Sequence, residues 1–164
     1  MPFIYVLIGG LLTLFLESFF VALCNFRIFY MIVLVLFKRI DWRYLLIFTF
    51  LTSLVSDVVY HYVFGTSLLT ITLPLLLIWG TSFLIPIDNT LPGYVVKFVS
   101  FVLYYFLQYV IPSLFSTGVF AHISLVAWAF ILLKSVISLG VCIIVDIVTK
   151  RIRKKEESGK LILR

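Results

Sequence analysis

The chain has 164 residues, of which 63% are hydrophobic and 12% are charged, with a formal net charge of +6 and a mean hydropathy of +1.23. Soluble globular domains are close to half apolar and about a quarter charged, so this composition excludes a water-soluble fold. At roughly 20 apolar residues per bilayer crossing, the length predicts about six transmembrane helices in one domain.

Six apolar runs follow one another along the chain, separated by short polar, basic or Gly- and Pro-containing turns. They are Phe3 to Cys24, Ile28 to Phe37, Tyr44 to Phe64, Ser67 to Ile87, Tyr94 to Phe115 and Ile123 to Val148. The second run has 10 residues and rises only about 15 Å as a helix, half of a ~30 Å hydrocarbon core. We therefore predict a compact all-α bundle of six transmembrane helices over residues 1–149, with five as the alternative.

The basic residues predict an orientation. Seven of the 13 Lys and Arg residues lie between Lys150 and Arg164, and such clusters mark the cytoplasmic side of short-loop membrane proteins. Residues 150–164 are therefore predicted to be a basic cytoplasmic tail. With six crossings the turn at Lys38 and Arg39 is also inside, and Arg27 lies in an outer loop. Lys97, near the inner end of its run, is expected to extend to the headgroups.

Small and polar residues recur at helical spacing inside four of the runs. Because helix interfaces in membranes use small residues and hydrogen bonds, these stripes are predicted to face a common centre. The stripes are Gly10, Thr13 and Glu17; Ser53, Asp57, Tyr60, His61 and Phe64; Lys97, Ser100, Tyr104 and Gln108; and Ala127, Lys134, Ser135, Ser138 and Cys142.

Ionisable groups inside the membrane are the first functional candidates. Glu17, Asp57 and Lys134 all fall in the outer half of the predicted bundle, where Lys134 could meet either carboxylate. One interpretation is a charge relay or a site for a charged solute. The other, which we favour, is that an acid and a base neutralise each other and fix the register of the helices.

Two further sets of residues, the Asp57 and His61 pair and the basic tail, each have two interpretations. Asp57 and His61 are four residues apart, which suits a metal on one helix face, but further ligands are lacking nearby and we favour a hydrogen-bonded polar pair. The tail could bind anionic lipid or a cytoplasmic partner, or act only as a topology signal. Its candidate contacts are Lys150, Arg151, Arg153, Lys154 and Lys155.

Catalytic, cofactor-binding and metal-binding motifs are absent from the sequence, so we predict neither an enzyme nor a cofactor.

The segment from Leu54 to Tyr60, with Asp57 at its centre, and the following Gly-containing turn from Phe64 to Leu68 resemble the bacterial rod shape-determining protein MreD family. The layout of the chain, with a short second helix and a basic C-terminus, is similar too. The sequence has Thr52 and Ser53 where the family usually has glycines, and it lacks the proline usual near Phe26 and Arg27. It therefore resembles a divergent member.

The resemblance implies a non-catalytic subunit of the machinery for cell shape and lateral wall synthesis, in the bacterial cytoplasmic (inner) membrane. The implied partners are an MreC-like bitopic protein, a RodA-type polymerase with its transpeptidase and, indirectly, the MreB filament, besides membrane lipid and without nucleic acid. Gly65 would be structural. The family fold is also similar to the S components of energy-coupling-factor transporters. The alternative function is therefore a small-molecule-binding transporter subunit, with a site near Glu17, Asp57, His61 and Lys134.

Overall fold

The computed structural model describes residues 2–37, 40–84, 91–119 and 123–162, and the side chains of 8–23, 25–37, 40–84, 91–119 and 123–152. Within these ranges the chain is all-helical, as predicted, with six helices. They are α1 (Pro2–Cys24), α2 (Phe29–Leu36), α3 (Trp42–Val59), α4 (Thr66–Ser82), α5 (Leu91–Thr117) and α6 (Leu125–Ile162).

Three of the helices are long and apolar enough to cross a membrane: α3, α5 and the part of α6 from Leu125 to Ile152. The part of α1 from Ile8 to Leu23 and the whole of α4 are shorter apolar helices. Large apolar side chains remain exposed on all of these elements, as expected of surfaces that face lipid and not water. The fold is thus that of a helical membrane protein.

The helices pack in the order α1, α3, α4, α5 and α6, and the short α2 contacts α1, α3 and α6. Helix α2 has eight residues and rises about 12 Å, too little to cross the hydrocarbon core. It lies in the centre instead, where the Tyr30 ring stacks on Tyr104 with centroids 4.7 Å apart and its hydroxyl bonds to Ser100. The interior is therefore filled with side chains at this level.

The predicted inward orientation of the polar stripes is confirmed for most of their members. Buried positions include Thr13, Glu17, Ser53, Asp57, Lys97, Ser100, Tyr104, Ser135, Ser138 and Cys142. Several of the hydroxyls bond to a carbonyl of their own helix, as Ser135 does to Ile131 at 2.7 Å, and others bond between helices, as Tyr105 and Ser138 do at 2.8 Å. His61 and Phe64, by contrast, are exposed.

The expectation that Lys97 extends to the headgroups is wrong. Its ammonium group donates to the Asp146 carboxylate at 2.8 Å, with side-chain exposures of 7% and 27%. This ion pair joins α5 to α6 near the end of the bundle from which the basic segment continues. A lysine so deep in the protein needs a counter-charge, and α6 provides one because its inward face there carries Asp146.

Several of the predicted boundaries also differ from the structure, and two of the differences change the prediction. Helix α3 ends at Val59 and not at Phe64, and α6 continues as one helix to Ile162, so the predicted tail is helical up to that residue. Lys150 and Arg151 are exposed on it, whereas the side chains of Arg153, Lys154 and Lys155 lie outside the described residues. His122, Lys38 and Arg39 also lie outside them.

The contact between α1 and α3 depends on the absence of a side chain at Gly10. A Cβ atom there would lie 2.9 Å from the Thr52 methyl group, whereas one at Gly9 would have no heavy atom within 4 Å. We expect Gly10→Val to lower the free energy of unfolding in detergent by about 1–3 kcal/mol through overpacking. The control Gly9→Val should change it by no more than about 0.5 kcal/mol. Equal losses in the two variants would contradict this contact.

Candidate functional site

Asp57 joins the end of α3 to the start of α4. Its two carboxylate oxygens accept hydrogen bonds from the backbone N–H groups of Gly65, at 2.7 Å, and Ser67, at 2.8 Å, and the side chain is fully buried. The first N–H groups of a helix have no partner within the helix, and the helix dipole favours a negative charge beside them. Asp57 therefore caps α4 from eight residues upstream of Gly65.

The turn between Asp57 and α4 requires unusual backbone conformations. Gly65 has φ +92°, in the left-handed region, where the absence of a Cβ atom makes glycine the least strained residue. His61 has φ +55° and is exposed. Because α3 ends at Val59, residues 57 and 61 do not share a helix face, and His61 makes no hydrogen bond to Asp57. The predicted polar pair is therefore wrong, and so is the geometry behind the metal alternative.

Arg27, in the segment between α1 and α2, packs on the aromatic residues of the same turn. Its guanidinium carbon lies 4.4 Å from the centroid of the Tyr60 ring and 5.2 Å from that of Tyr62, and it donates a hydrogen bond to the Tyr62 hydroxyl at 2.8 Å. Cation–π contacts of this kind hold a guanidinium group in a fixed position. The turn after α3 thus positions a cation contributed by another part of the chain.

Glu17 of α1 is a buried acid close enough to Arg27 for the two charges to interact. The residue is 1% exposed, and its Oε2 atom has no hydrogen-bond partner in the described chain. Burial raises the pKa of Tyr60, the Glu17 carboxylate raises it further, and the Arg27 guanidinium lowers it. The three side chains therefore interact electrostatically. Tyr60 is consequently a neutral phenol at physiological pH. Among the described residues, no carboxylate lies within 4 Å of Arg27.

A cavity of about 540 Å³ opens at the end of the bundle where α1, α3 and α5 end and α6 begins. Its polar lining residues are Asn25, Arg27, Tyr62, Gln108, Ser124 and Lys134. The others are aromatic or apolar: Tyr105, Tyr109, Val126, Ala127, Phe130 and Ile131. The lining thus combines two cations with hydroxyl, amide and apolar groups, and none of the described residues in it is acidic.

Lys134 does not pair with either carboxylate, contrary to the sequence-based hypothesis. Its Nζ atom donates to the backbone carbonyl of Asn25 at 2.7 Å, and in the described part of the chain no acid lies within ion-pair distance of it. Helix α6 packs mainly on α5 and α2, whereas Glu17 and Asp57 belong to α1 and α3. Asp57 is in any case turned towards α4.

The structure therefore divides the predicted site residues between two places. Asp57 and Gly65 form the cap of α4, and Lys134 lines the cavity, while His61 lies outside both. Among the described residues, no group of three or more His, Cys, Asp or Glu side chains could hold a metal ion.

The role of Arg27 was not predicted from the sequence. This residue stood out only as a cation in a predicted outer loop, on the side where basic residues are scarce. This unusual location was the one feature of the sequence that could have indicated a role for Arg27. Its contacts with Tyr60 and Tyr62 cross 33 and 35 positions of the chain, and only the fold brings these residues together. Tyr105 and Gln108 of the cavity wall likewise depend on how α5 meets α6.

Comparison with known proteins adds no relative: no protein-family model, curated protein or solved structure matches this chain.

The cap of α4 gives a direct prediction. Asp57→Ala leaves two buried N–H groups without their acceptor, and we expect it to lower the free energy of unfolding by about 1–3 kcal/mol. Asp41→Ala is the matched control, because Asp41 is the exposed N-cap residue of α3 and makes no side-chain capping bond. It should change stability by less than about 0.5 kcal/mol. Thermal unfolding in one detergent, followed by circular dichroism, measures both; a stable Asp57→Ala protein would exclude the capping role.

Proposed function

We propose that the protein is a non-catalytic membrane subunit that acts through contacts with other membrane proteins. The observation that carries this proposal is the filled centre of the bundle. Asp57, the ionisable residue at the heart of the predicted motif, is fully buried, and both of its oxygens are bonded to α4. A residue engaged in this way supports the fold and has no free oxygen for a substrate.

The exterior supports the same proposal. Helix α1 packs on α3 and α2, and a broad apolar face along the rest of it is exposed. This face contains Ile8, Leu11, Leu12, Phe15, Phe19 and Leu23. Without a hydrophobic driving force between helices in lipid, association depends on shape and packing, and rigid aromatic side chains such as Phe15 and Phe19 suit such contacts. Partner helices can therefore dock on the outside of the bundle while its interior stays closed.

The resemblance to the MreD family makes the proposal more specific. The residues that carry it, Asp57 and the Gly65 turn, form one structural unit in this fold, which gives a physical reason for their joint occurrence. On this basis the protein would serve the cell-shape and lateral wall elongation machinery. Its partners would be an MreC-like bitopic protein, a RodA-type polymerase with its transpeptidase and, indirectly, the MreB filament.

The proposed location is the bacterial cytoplasmic membrane, with the C-terminus in the cytoplasm. The exposed Lys150 and Arg151 on α6, followed by further basic residues of the sequence, support this orientation. The cavity beside Arg27 then opens on the outer side. The alternative, a transporter subunit with a solute site formed by Glu17, Asp57, His61 and Lys134, has less support because only Lys134 of these residues lines a cavity.

Photo-crosslinking from the lipid-facing surface tests the proposal. A benzoylphenylalanine would replace Phe15 of α1, Phe50 of α3 or Ile144 of α6, all of which are exposed, in a rod-shaped bacterium that produces the full chain. We expect at least one position to capture a bitopic or polymerase component of the wall machinery, identified by mass spectrometry.

The same amino acid at Phe101, which is 1% exposed, is the control and should capture no other protein at equal membrane abundance. Recovery of transporter ATPase subunits alone, or of no protein from any of the three exposed positions, would contradict the proposed function.

A further inference from the structure

The cavity beside α6 brings two cations together. Arg27 and Lys134 both line it, and none of the residues that the structure places around it is acidic. Like charges in a site of low dielectric repel each other, and buried cations normally have a counter-charge. Lys97 has such a partner in Asp146. Within the described chain, Arg27 and Lys134 have no carboxylate at ion-pair distance, so an external anion would relieve their repulsion.

Both cations keep hydrogen-bond donors for such an anion. Lys134 uses one N–H for the Asn25 carbonyl, and Arg27 uses one for the Tyr62 hydroxyl, out of three and five donors respectively. Gln108 and Ser124 add neutral polar groups to the same walls. Guanidinium and ammonium groups that converge with neutral donors suit a phosphate group, which offers several acceptor oxygens.

Glu17 does not cancel this charge. Its buried carboxylate interacts electrostatically with Arg27, but it is not among the residues that the structure places around the cavity. It contributes at most one negative charge, whereas the cavity contains two cations. The site therefore keeps a net positive charge whether or not Glu17 is ionised.

The shape of the cavity indicates what the phosphate is attached to. Its volume of about 540 Å³ is far larger than a phosphate ion and lies in the range of organic ligand sites. Tyr105 and Ile131 are buried at its floor, whereas Tyr109, Val126 and Phe130 are 48%, 64% and 56% exposed. The cavity thus extends to the outer surface of α5 and α6, the surface that faces lipid. The apolar chain of a ligand bound in the cavity can therefore extend along this lipid-facing surface.

We propose that this cavity binds the phosphate group of an anionic amphiphile, with the phosphate between Arg27 and Lys134 and the apolar part along α5 and α6. The proposal goes beyond the assembly function and does not rest on it. The same phosphate chemistry could come from a membrane lipid or from a free phosphate, and the experiment separates the two sources.

The full-length protein in phosphatidylcholine nanodiscs is titrated with dioctanoyl phosphatidylglycerol, dioctanoyl phosphatidylcholine or sodium phosphate, and binding is followed by thermal shift. We expect phosphatidylglycerol to raise the melting temperature, and Lys134→Met or Arg27→Met to weaken its binding about tenfold or more, as expected for a lost charge-assisted bond. A shift with sodium phosphate and none with phosphatidylglycerol would support the site with a free phosphate as its ligand.

Two variants control for folding and for charge. Ala127→Trp fills the cavity without changing charge and should also weaken binding, whereas Arg43→Met, which removes an exposed arginine at the start of α3, should leave it unchanged. Equal binding of the anionic and zwitterionic lipids, or no shift with either phosphate source, would overturn the proposal. So would an equal loss in Lys150→Met/Arg151→Met, because the lipid would then be held by the basic end of α6.

Discussion

The bond between the Asp57 carboxylate and the first N–H groups of α4 is the constraint on which this end of the bundle depends. The first N–H groups of a helix have no acceptor within that helix, so an acceptor must come from elsewhere in the chain or from water. Asp57 provides this acceptor from the last turns of α3, at 2.7 and 2.8 Å from the nitrogens of Gly65 and Ser67. The turn between them then holds Tyr60 and Tyr62 in place, and these rings in turn position Arg27.

The packing of the interior depends on a second constraint, which is the short length of α2. An eight-residue helix cannot cross the bilayer, but it can occupy the space that α1, α3 and α6 leave between them. Its Tyr30 has no exposed surface, stacks on Tyr104 and bonds through its hydroxyl to Ser100. A polar aromatic side chain thus fills the centre and satisfies its one donor there.

The buried and half-buried cations of the bundle fall into two classes. Lys97 faces Asp146 across the contact between α5 and α6, so its charge is compensated within the protein. Arg27 and Lys134 share a cavity, and none of the described residues that line it is acidic. The first arrangement stabilises the contact between two helices. The second leaves a net charge at the surface of the bundle, which suits an external anion, while the apolar outer faces suit membrane partners.

The sequence by itself determined the environment of the chain, its helical class and the direction of its polar faces, because composition and periodicity depend only on local residue order. Glu17, Ser53, Ser100 and Ser138 are buried as their spacing predicted. Only the tertiary structure decided the partners of the ionisable groups. Lys97 bonds to Asp146, 49 residues away in the sequence, and Lys134 bonds to Asn25, 109 residues away. Helical periodicity indicates which face of a helix points inward, but it does not indicate which residue of another helix lies opposite. The end of α3 at Val59 was likewise decided by the cap that Asp57 provides to α4, and that cap turned the predicted partner His61 to the outside.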